Sequence, residues 1–256
     1  MKLNQDYASD TTYKMRNKKK KSVVLFICIA GMCFLVTRMV RVEDKTTVKV
    51  HNMHTEQNEK AIRYVASNMI KEDPKIAITF DDGPSPAWTP QLLDGLKERN
   101  VKATFFLIGE NAKNNPELVK REAEEGHLIG NHTYHHVEIT RVPDETAQEE
   151  ILMTNEVITE ITGEEVSYMR PPFGVWQKNL ERKLDVMPVL WTIDPLDWTT
   201  DNEDEIINKV VTQAGENDII LLHDCYESSV NAALRIVDIL RKEGFRFVTV
   251  DELIMN

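Results

Sequence analysis

The sequence predicts an α/β fold built on a parallel sheet. From residue 75 onward, short apolar runs typical of buried strands alternate with amphipathic stretches typical of helices. Polar and charged residues collect where five of these strands end. With 256 residues, 41% of them hydrophobic, the chain can bury a large core. The alternation fits an open doubly wound sheet or a closed barrel, and both folds place an active site at the carboxyl ends of their strands.

The N-terminus has the charge pattern of an export signal. Residues 1–41 carry a net charge of +7, from nine Lys or Arg and two Asp, and because the whole chain carries −11 the remainder carries −18. Four lysines at 18–21 precede an uncharged apolar run, and no A-x-A cleavage site follows it. We therefore predict a basic cytoplasmic segment (1–21) and an uncleaved signal anchor (22–40) in the cell membrane, with the rest of the chain outside the cytoplasm. Cleavage of the signal, the alternative, would secrete the protein.

The chain after the anchor divides at residue 74. Residues 41–73 contain neither Gly nor Pro and predict a partly helical stalk, whereas residues 74–256 form the folded domain. The acidic charge of this domain argues against nucleic acid as a partner. Cys225 is its single cysteine, so its stability depends on its core and not on a disulfide within the domain.

Seven runs in the domain have the composition of strands. They are residues 76–80, 103–108, 127–131, 166–170, 187–193, 219–223 and 245–250. Two helices between them have clear boundaries: Asn115-Pro116 begins one that Gly126 ends, and Pro143-Asp144 begins another that Gly163 ends. The second helix has an apolar face, formed by Ala147, Ile151, Ile158 and Ile161.

Asp81 and Asp82 follow the first strand, directly before Gly83-Pro84. Successive side chains on a strand point to opposite faces, so one carboxylate can bind a cation while its neighbour handles a proton. An ordinary turn is the alternative for this stretch alone, because Asp-Gly and Gly-Pro are common turn formers.

The other strand ends make the turn interpretation insufficient. Histidines, an arginine and further aspartates follow four more strands, and structural polar residues would not favour one end of five strands. His132 and His136, at positions i and i+4, would lie on one face of a helical turn and could share a metal. One carboxylate would complete a three-ligand site that leaves a position open for water, which is the arrangement of a catalytic metal.

Five segments together resemble a known family. They are T-F-D-D-G-P (79–84), H-T-Y-H-H (132–136), R-P-P-F-G (170–174), D-P-L-D-W (194–198) and L-L-H (221–223). In order and spacing they resemble the motifs of the NodB-homology polysaccharide deacetylases, carbohydrate esterase family four, which include membrane-anchored peptidoglycan N-acetylglucosamine deacetylases. The resemblance spans about residues 74–254. It implies a distorted (β/α)7 barrel and a hydrolase that uses a divalent metal to remove acetyl groups from a glycan polymer.

The resemblance also assigns the base and the metal ligands. Asp81 corresponds to the catalytic base and Arg170 to the arginine that orients it. The ligands correspond to Asp82, His132 and His136, and the metal to zinc, with cobalt and nickel as alternatives. The remaining histidine of the motif, at position 135, matches a variable position and is not expected to bind the metal.

The acid side of the site follows from the later motifs. His223 corresponds to the general acid, and Asp197 is favoured over Asp194 as the residue that orients it. Leu221 corresponds to a wall for the acetyl methyl group, and Trp198 to a lining residue of the groove. The backbone N–H of Phe173 corresponds to an oxyanion donor, at a position where the family usually has Tyr.

Several functions remain open at this point. An N-acetylglucosamine polymer of the cell envelope, preferably peptidoglycan, is the expected substrate. A chitooligosaccharide deacetylase and an acetyl-xylan esterase are the enzymatic alternatives. A carbohydrate-binding module without catalysis, or an envelope scaffold, is the alternative from another class.

Overall fold

The computed structural model describes residues 73–177, 180 and 184–255, together with residue 60. They belong, apart from residue 60, to a compact unit that spans Lys71–Asn256. The predicted basic segment, signal anchor and most of the stalk lie outside the described residues. None of the helices in the described ranges is long and apolar enough to cross a membrane.

The folded unit is built on a seven-stranded sheet. Its strands are β1 (Lys75–Asp81), β2 (Thr104–Leu107), β3 (Leu128–Asn131), β4 (Tyr168–Met169), β5 (Met187–Pro188), β6 (Ile219–His223) and β7 (Arg246–Phe247). Every strand pair is parallel. All seven predicted strands are confirmed. The fourth, fifth and seventh are shorter than predicted, with two residues each, because only those residues pair with a neighbouring strand.

The strand order is β5-β4-β3-β2-β1-β6, and β7 pairs with the start of β1. The segment after β5 then turns toward the opposite edge of the sheet, where Ile193 forms a parallel bridge with Ile220 of β6. The N–H of Leu221 donates to the carbonyl of Ile193 at 2.9 Å. The sheet is therefore a curved half-barrel, which agrees with the predicted parallel α/β fold and not with a flat open sheet.

Seven α-helices lie between and after the strands in the described ranges. They are α1 (Thr89–Glu98), α2 (Gly109–Asn114), α3 (Pro116–Glu124), α4 (Asp144–Thr162), α5 (Glu203–Val211), α6 (Glu227–Lys242) and α7 (Val250–Ile254). The predicted boundaries of α3 and α4 are confirmed. Gly163 ends α4 with a φ of 78°, a left-handed conformation that glycine adopts without steric cost.

The alternation of side chains along β1 determines where the site can form. Ile76, Ile78 and Phe80 point to one face and belong to the main hydrophobic core, which includes residues of α1 and α6. Thr79 and Asp81 point to the opposite face. Burying the apolar face therefore places Asp81 at the carboxyl edge of the sheet, on the concave side of the half-barrel.

Candidate active site

Three side chains from two strand ends form a compact cluster. Asp82 follows β1, and His132 and His136 follow β3. Oδ1 of Asp82 lies 3.3 Å from Nε2 of His132 and 3.4 Å from Nε2 of His136. One ligand atom from each of the three lies within 4.8 Å of the others. The structure thus brings the predicted metal ligands together.

The hydrogen bonding of this cluster fits a cation. Nδ1 of His132 lies 2.7 Å from the carbonyl oxygen of Arg170, which can only accept, so Nδ1 carries the hydrogen and Nε2 presents a lone pair to Asp82. Oδ1 of Asp82 is buried and has no hydrogen-bond partner among the described residues. Two acceptors that face each other without a donor are satisfied by a metal ion bound between them.

The pKa values favour the ligating protonation states. Burial works to raise the pKa of Asp82, but the neighbouring His132, His223 and His136 outweigh it and lower that pKa below its usual range. Burial, and then the neighbouring His132, lowers the pKa of His136. An ionised carboxylate beside a neutral imidazole is the form in which both groups bind a metal.

The predicted helical turn across the two histidines is wrong. Thr133 and His136 have φ values of 61° and 56°, so the chain forms an irregular loop with two left-handed residues. Oδ1 of Asn131 accepts the N–H of Thr133 at 2.7 Å, and the Thr133 hydroxyl accepts the N–H of Val137 at 3.2 Å. Side-chain acceptors therefore replace the backbone acceptors of a helix, and the histidine rings still approach to 4.9 Å between centroids.

A buried ion pair lies beside the cluster. Arg170 is fully buried, and its Nη1 donates to Oδ1 of Asp81 at 2.7 Å and to the hydroxyl of Thr79 at 2.7 Å. Its guanidinium lies over the ring of Phe106, 4.3 Å from the centroid. Oδ2 of Asp81 remains on the side of the cluster, 3.8 Å from Nε2 of His132. Arg170 thus fixes one oxygen of Asp81 and leaves the other free to accept a proton.

A second ion pair lies across the cluster. Nδ1 of His223 is 2.8 Å from Oδ1 of Asp197, and Oδ2 of Asp197 accepts the N–H of His223 at 2.8 Å. Asp194 instead accepts the N–H of Leu196, at 2.8 Å. Asp197, and not Asp194, is therefore the aspartate that contacts His223 through both of its carboxylate oxygens.

The ion pair with Asp197 also favours the imidazolium form of His223. Burial works to lower the pKa of His223, but the hydrogen bond and charge of Asp197, with Asp81 and Asp82, raise it to about 9. Nε2 of His223 faces the cluster, 4.0 Å from Oδ2 of Asp82. The site thus places a carboxylate held by an arginine on one side of the cluster and a histidine with a raised pKa on the other.

These groups surround a single pocket of about 450 Å³. It is lined by every predicted site residue except Arg170 and Asp197, which hold Asp81 and His223 from behind. Phe173 and Trp198 are 63% and 56% exposed at its rim, whereas Leu221 is buried. The backbone of Phe173 is left-handed, with a φ of 63°.

Comparison with known proteins assigns the chain to a family. The family model described as polysaccharide deacetylase matches residues 68–189. A peptidoglycan-N-acetylglucosamine deacetylase of Bacillus cereus is 39% identical over 186 residues, covering 70% of this chain and 68% of that relative. This chain belongs to the polysaccharide deacetylase family.

Another relative and a solved structure are also similar to this polysaccharide deacetylase. The peptidoglycan-N-acetylglucosamine deacetylase PgdA of Listeria monocytogenes is 37% identical over 216 residues, covering 82% of this chain and 46% of the relative. The chain thus spans about half the length of that protein. The structure of peptidoglycan deacetylase PdaC from Bacillus subtilis has a TM-score of 0.70 and 38% identity, covering 72% of this chain and 91% of that one.

The site of this polysaccharide deacetylase also contains residues that the sequence did not reveal. Trp191 and Tyr226 line the pocket, and Glu150 contacts the loop of residues 132–136, which we call the histidine loop. Tyr226 follows His223 by three residues. An aromatic residue so close to the predicted acid could have been predicted to line the pocket. Glu150 interrupts the apolar face of α4, next to Ile151. A charged residue on such a face could have been predicted to have a polar partner inside the domain.

Proposed function

We propose that this polysaccharide deacetylase hydrolyses the N-acetyl groups of N-acetylglucosamine residues in peptidoglycan. The observation that carries the proposal is the placement of the Asp82, His132 and His136 cluster between a base held by an arginine and an acid held by an aspartate. The relatives named as peptidoglycan deacetylases support the choice of polymer.

Asp82, His132 and His136 would hold the metal, and zinc is the preferred ion because its usual ligands are imidazole nitrogens and carboxylate oxygens. Such an ion supplies Lewis acidity and lowers the pKa of a bound water to about 7. The free oxygen of Asp81 faces the cluster and takes the proton of the attacking water. Arg170, 2.7 Å from the other oxygen of Asp81, keeps this carboxylate oriented for the transfer.

The opposite side of the site handles the leaving group. His223, held as an imidazolium by Asp197, gives its proton to the departing amine nitrogen. The N–H of Phe173 serves as a donor to the developing oxyanion, so the left-handed backbone at this residue has a function. Because a main-chain group has this role, Phe in place of the family's usual Tyr is compatible with catalysis.

The rim of the pocket suits a sugar chain. Phe173, Trp198 and Tyr226 expose aromatic faces, on which the apolar faces of sugar rings can stack. Leu221 provides the apolar wall for the acetyl methyl group. We further propose that residues 22–40 anchor the protein in the cell membrane, with residues 74–256 facing peptidoglycan outside the cytoplasm; the charge pattern of the N-terminus supports this orientation.

The test is acetate release by the purified full-length protein from peptidoglycan, chitin oligomers and acetylated xylan. We expect the highest rate on peptidoglycan, loss of activity with a chelator and recovery with zinc or cobalt. Higher rates on chitin oligomers or xylan would transfer the assignment to one of the alternative substrates. Tight metal and glycan binding without acetate release would identify a binding module, and full activity in metal-free protein would refute the mechanism.

A further inference from the structure

A buried carboxylate on α4 contacts the loop that carries both histidine ligands. Glu150 is 7% exposed and lies on the buried face of the helix. Its Oε2 accepts the N–H groups of Tyr134 and His135 at 3.0 and 2.8 Å. Its Oε1 lies 2.7 Å from Nδ1 of His135. One side chain therefore makes three contacts to two consecutive residues between His132 and His136.

The loop needs such contacts because its own sequence does not favour its conformation. Left-handed backbone at the non-glycine residues Thr133 and His136 is sterically unfavourable and persists only where the surroundings fix it. Glu150 acts between these two positions. From α2, the N–H groups of Gly109 and Glu110 donate to the carbonyls of Thr133 and Tyr134, at 2.9 and 3.0 Å. The same short segment is thus held on its N–H side by α4 and on its carbonyl side by α2.

We propose that Glu150 is a positioning residue for the metal site. It fixes the backbone at Tyr134 and His135, and thereby the distance at which His132 and His136 face Asp82. The ring of His135 serves this contact and not the metal. The inference rests on the proposed metal-dependent function, but Glu150 itself touches neither the ligand atoms nor the substrate pocket.

The chemistry of the contact predicts a graded response to substitution. In Glu150→Gln, the amide oxygen still accepts the two backbone N–H groups, but without the negative charge that strengthens those bonds. In Glu150→Ala, all three contacts are lost, and the buried N–H of Tyr134 and the partly buried N–H of His135 lack this acceptor. Metal affinity should therefore fall in the order wild type, Glu150→Gln, Glu150→Ala.

The experiment measures metal binding, not activity alone. Full-length variants are titrated with zinc against a chromophoric chelator, and the visible spectrum of each cobalt-loaded protein reports ligand geometry. We expect Glu150→Ala to weaken zinc binding by about 10- to 100-fold and to alter the cobalt spectrum, which is the size of effect expected when a group that orients metal ligands is removed. Glu150→Gln should weaken binding by about fivefold, the size expected when a neutral acceptor replaces a charged one.

Two variants on the same helix serve as controls. Glu149→Ala removes an exposed carboxylate next to Glu150 and should leave zinc affinity unchanged. Ile158→Ala removes buried packing without touching the loop. It should therefore lower stability as Glu150→Ala does, but leave the contacts to the loop intact. If Ile158→Ala weakens zinc binding as much as Glu150→Ala at an equal loss of thermal stability, the effect is general destabilisation and the proposal is wrong.

The outcomes also separate this proposal from the proposed function. Wild-type protein that binds no metal would refute the function itself. Wild-type protein that binds metal and releases acetate, with the same zinc affinity and cobalt spectrum in Glu150→Gln and Glu150→Ala, would refute the positioning role alone. If Glu150→Ala does not fold, the positioning role is tested with Glu150→Gln and His135→Ala. Wild-type zinc affinity and a wild-type cobalt spectrum in both variants would overturn the proposal.

Discussion

Asp81 and Asp82 are neighbours in the chain but have different surroundings. Asp81 is bound to the buried Arg170, whereas Asp82 has a buried oxygen without a partner among the described residues and two histidines beside it. Asp82→Ala should therefore abolish metal binding. Asp81→Asn should retain the metal while turnover falls by about 10² to 10⁴, the usual contribution of a general base. Metal analysis and acetate release on the same samples test this, and the reverse pattern would exchange the two roles.

The role of His223 as general acid can be tested with two substrates that differ in their leaving group. An amine that departs from a tetrahedral intermediate needs a proton, whereas an activated aryl acetate releases a stable anion without one. His223→Ala should lose about 10² to 10⁴ in rate on an N-acetyl substrate and much less on the aryl acetate, with metal content unchanged. Equal losses on both substrates would mean that His223 positions the substrate or the water, and the assignment as general acid would be withdrawn.

At the scale of the elements, Gly130 of β3 connects strand packing with the base. A Cβ at this position would overlap the ring of Phe106, and that ring supports the guanidinium of Arg170. Gly130→Ala should therefore lower stability by about 1–3 kcal/mol and also reduce turnover, because the displaced ring moves Arg170 away from Asp81. Thermal unfolding and acetate release measure the two effects.

Gly163→Ala is the matched control for this change. It places the same methyl group at a left-handed residue with no atom within 4 Å, so it should cost about 1–2 kcal/mol without affecting turnover. Unchanged turnover in folded Gly130→Ala would show that Phe106 does not position Arg170.

Helix α3 buries an unpaired acid, Glu122, whose two carboxylate oxygens lack partners among the described residues. Burial, and then the charge of Asp224, raises the pKa of Glu122 well above its ordinary value of 4.5. Because the folded state holds this proton more tightly than the unfolded state, stability declines as the pH rises above about 4.5. Glu122→Gln removes the titration.

The difference in melting temperature between Glu122→Gln and wild type should therefore increase from pH 5 to pH 8. A relative gain of about 2–4 °C corresponds to about 1 kcal/mol in a domain of this size. Glu124→Gln, an exposed position on the same helix, should show no such trend. A difference that stays constant with pH would show that Glu122 does not titrate between the two states.

The elements that could be predicted from the sequence are those with a regular period or a boundary residue. The seven apolar runs and the ends of α3 and α4 followed from periodicity, Pro and Gly. The histidine loop did not, because the i, i+4 spacing of His132 and His136 reads as a helical turn when the buried Glu150 and the left-handed residues are unknown. The choice between Asp194 and Asp197 likewise depends on a loop conformation, with Leu196 at a φ of 57°, that side-chain chemistry does not reveal.

For the whole molecule, the charge pattern of the N-terminus predicts retention at the membrane. Protease added to intact cells should digest the folded domain and leave a small membrane-bound fragment that contains residues 22–40. The reason is that the basic residues before the apolar run favour the cytoplasmic side. A domain that stays protected until the cells are lysed would contradict this orientation.

The pairing of β1 with β6 also determines when the site can exist during synthesis. Asp81 and His223 are direct register partners on these adjacent strands, although β1 lies near the start of the folded domain and β6 near its end. A growing chain therefore carries Asp81 and the cluster of Asp82, His132 and His136 long before His223 is made. Until β6 is added, one edge of β1 is open to pairing with other chains. A chain that stops before Ile219 therefore has the cluster but neither His223 nor the strand that covers this edge of β1, so the half-finished protein cannot complete the reaction.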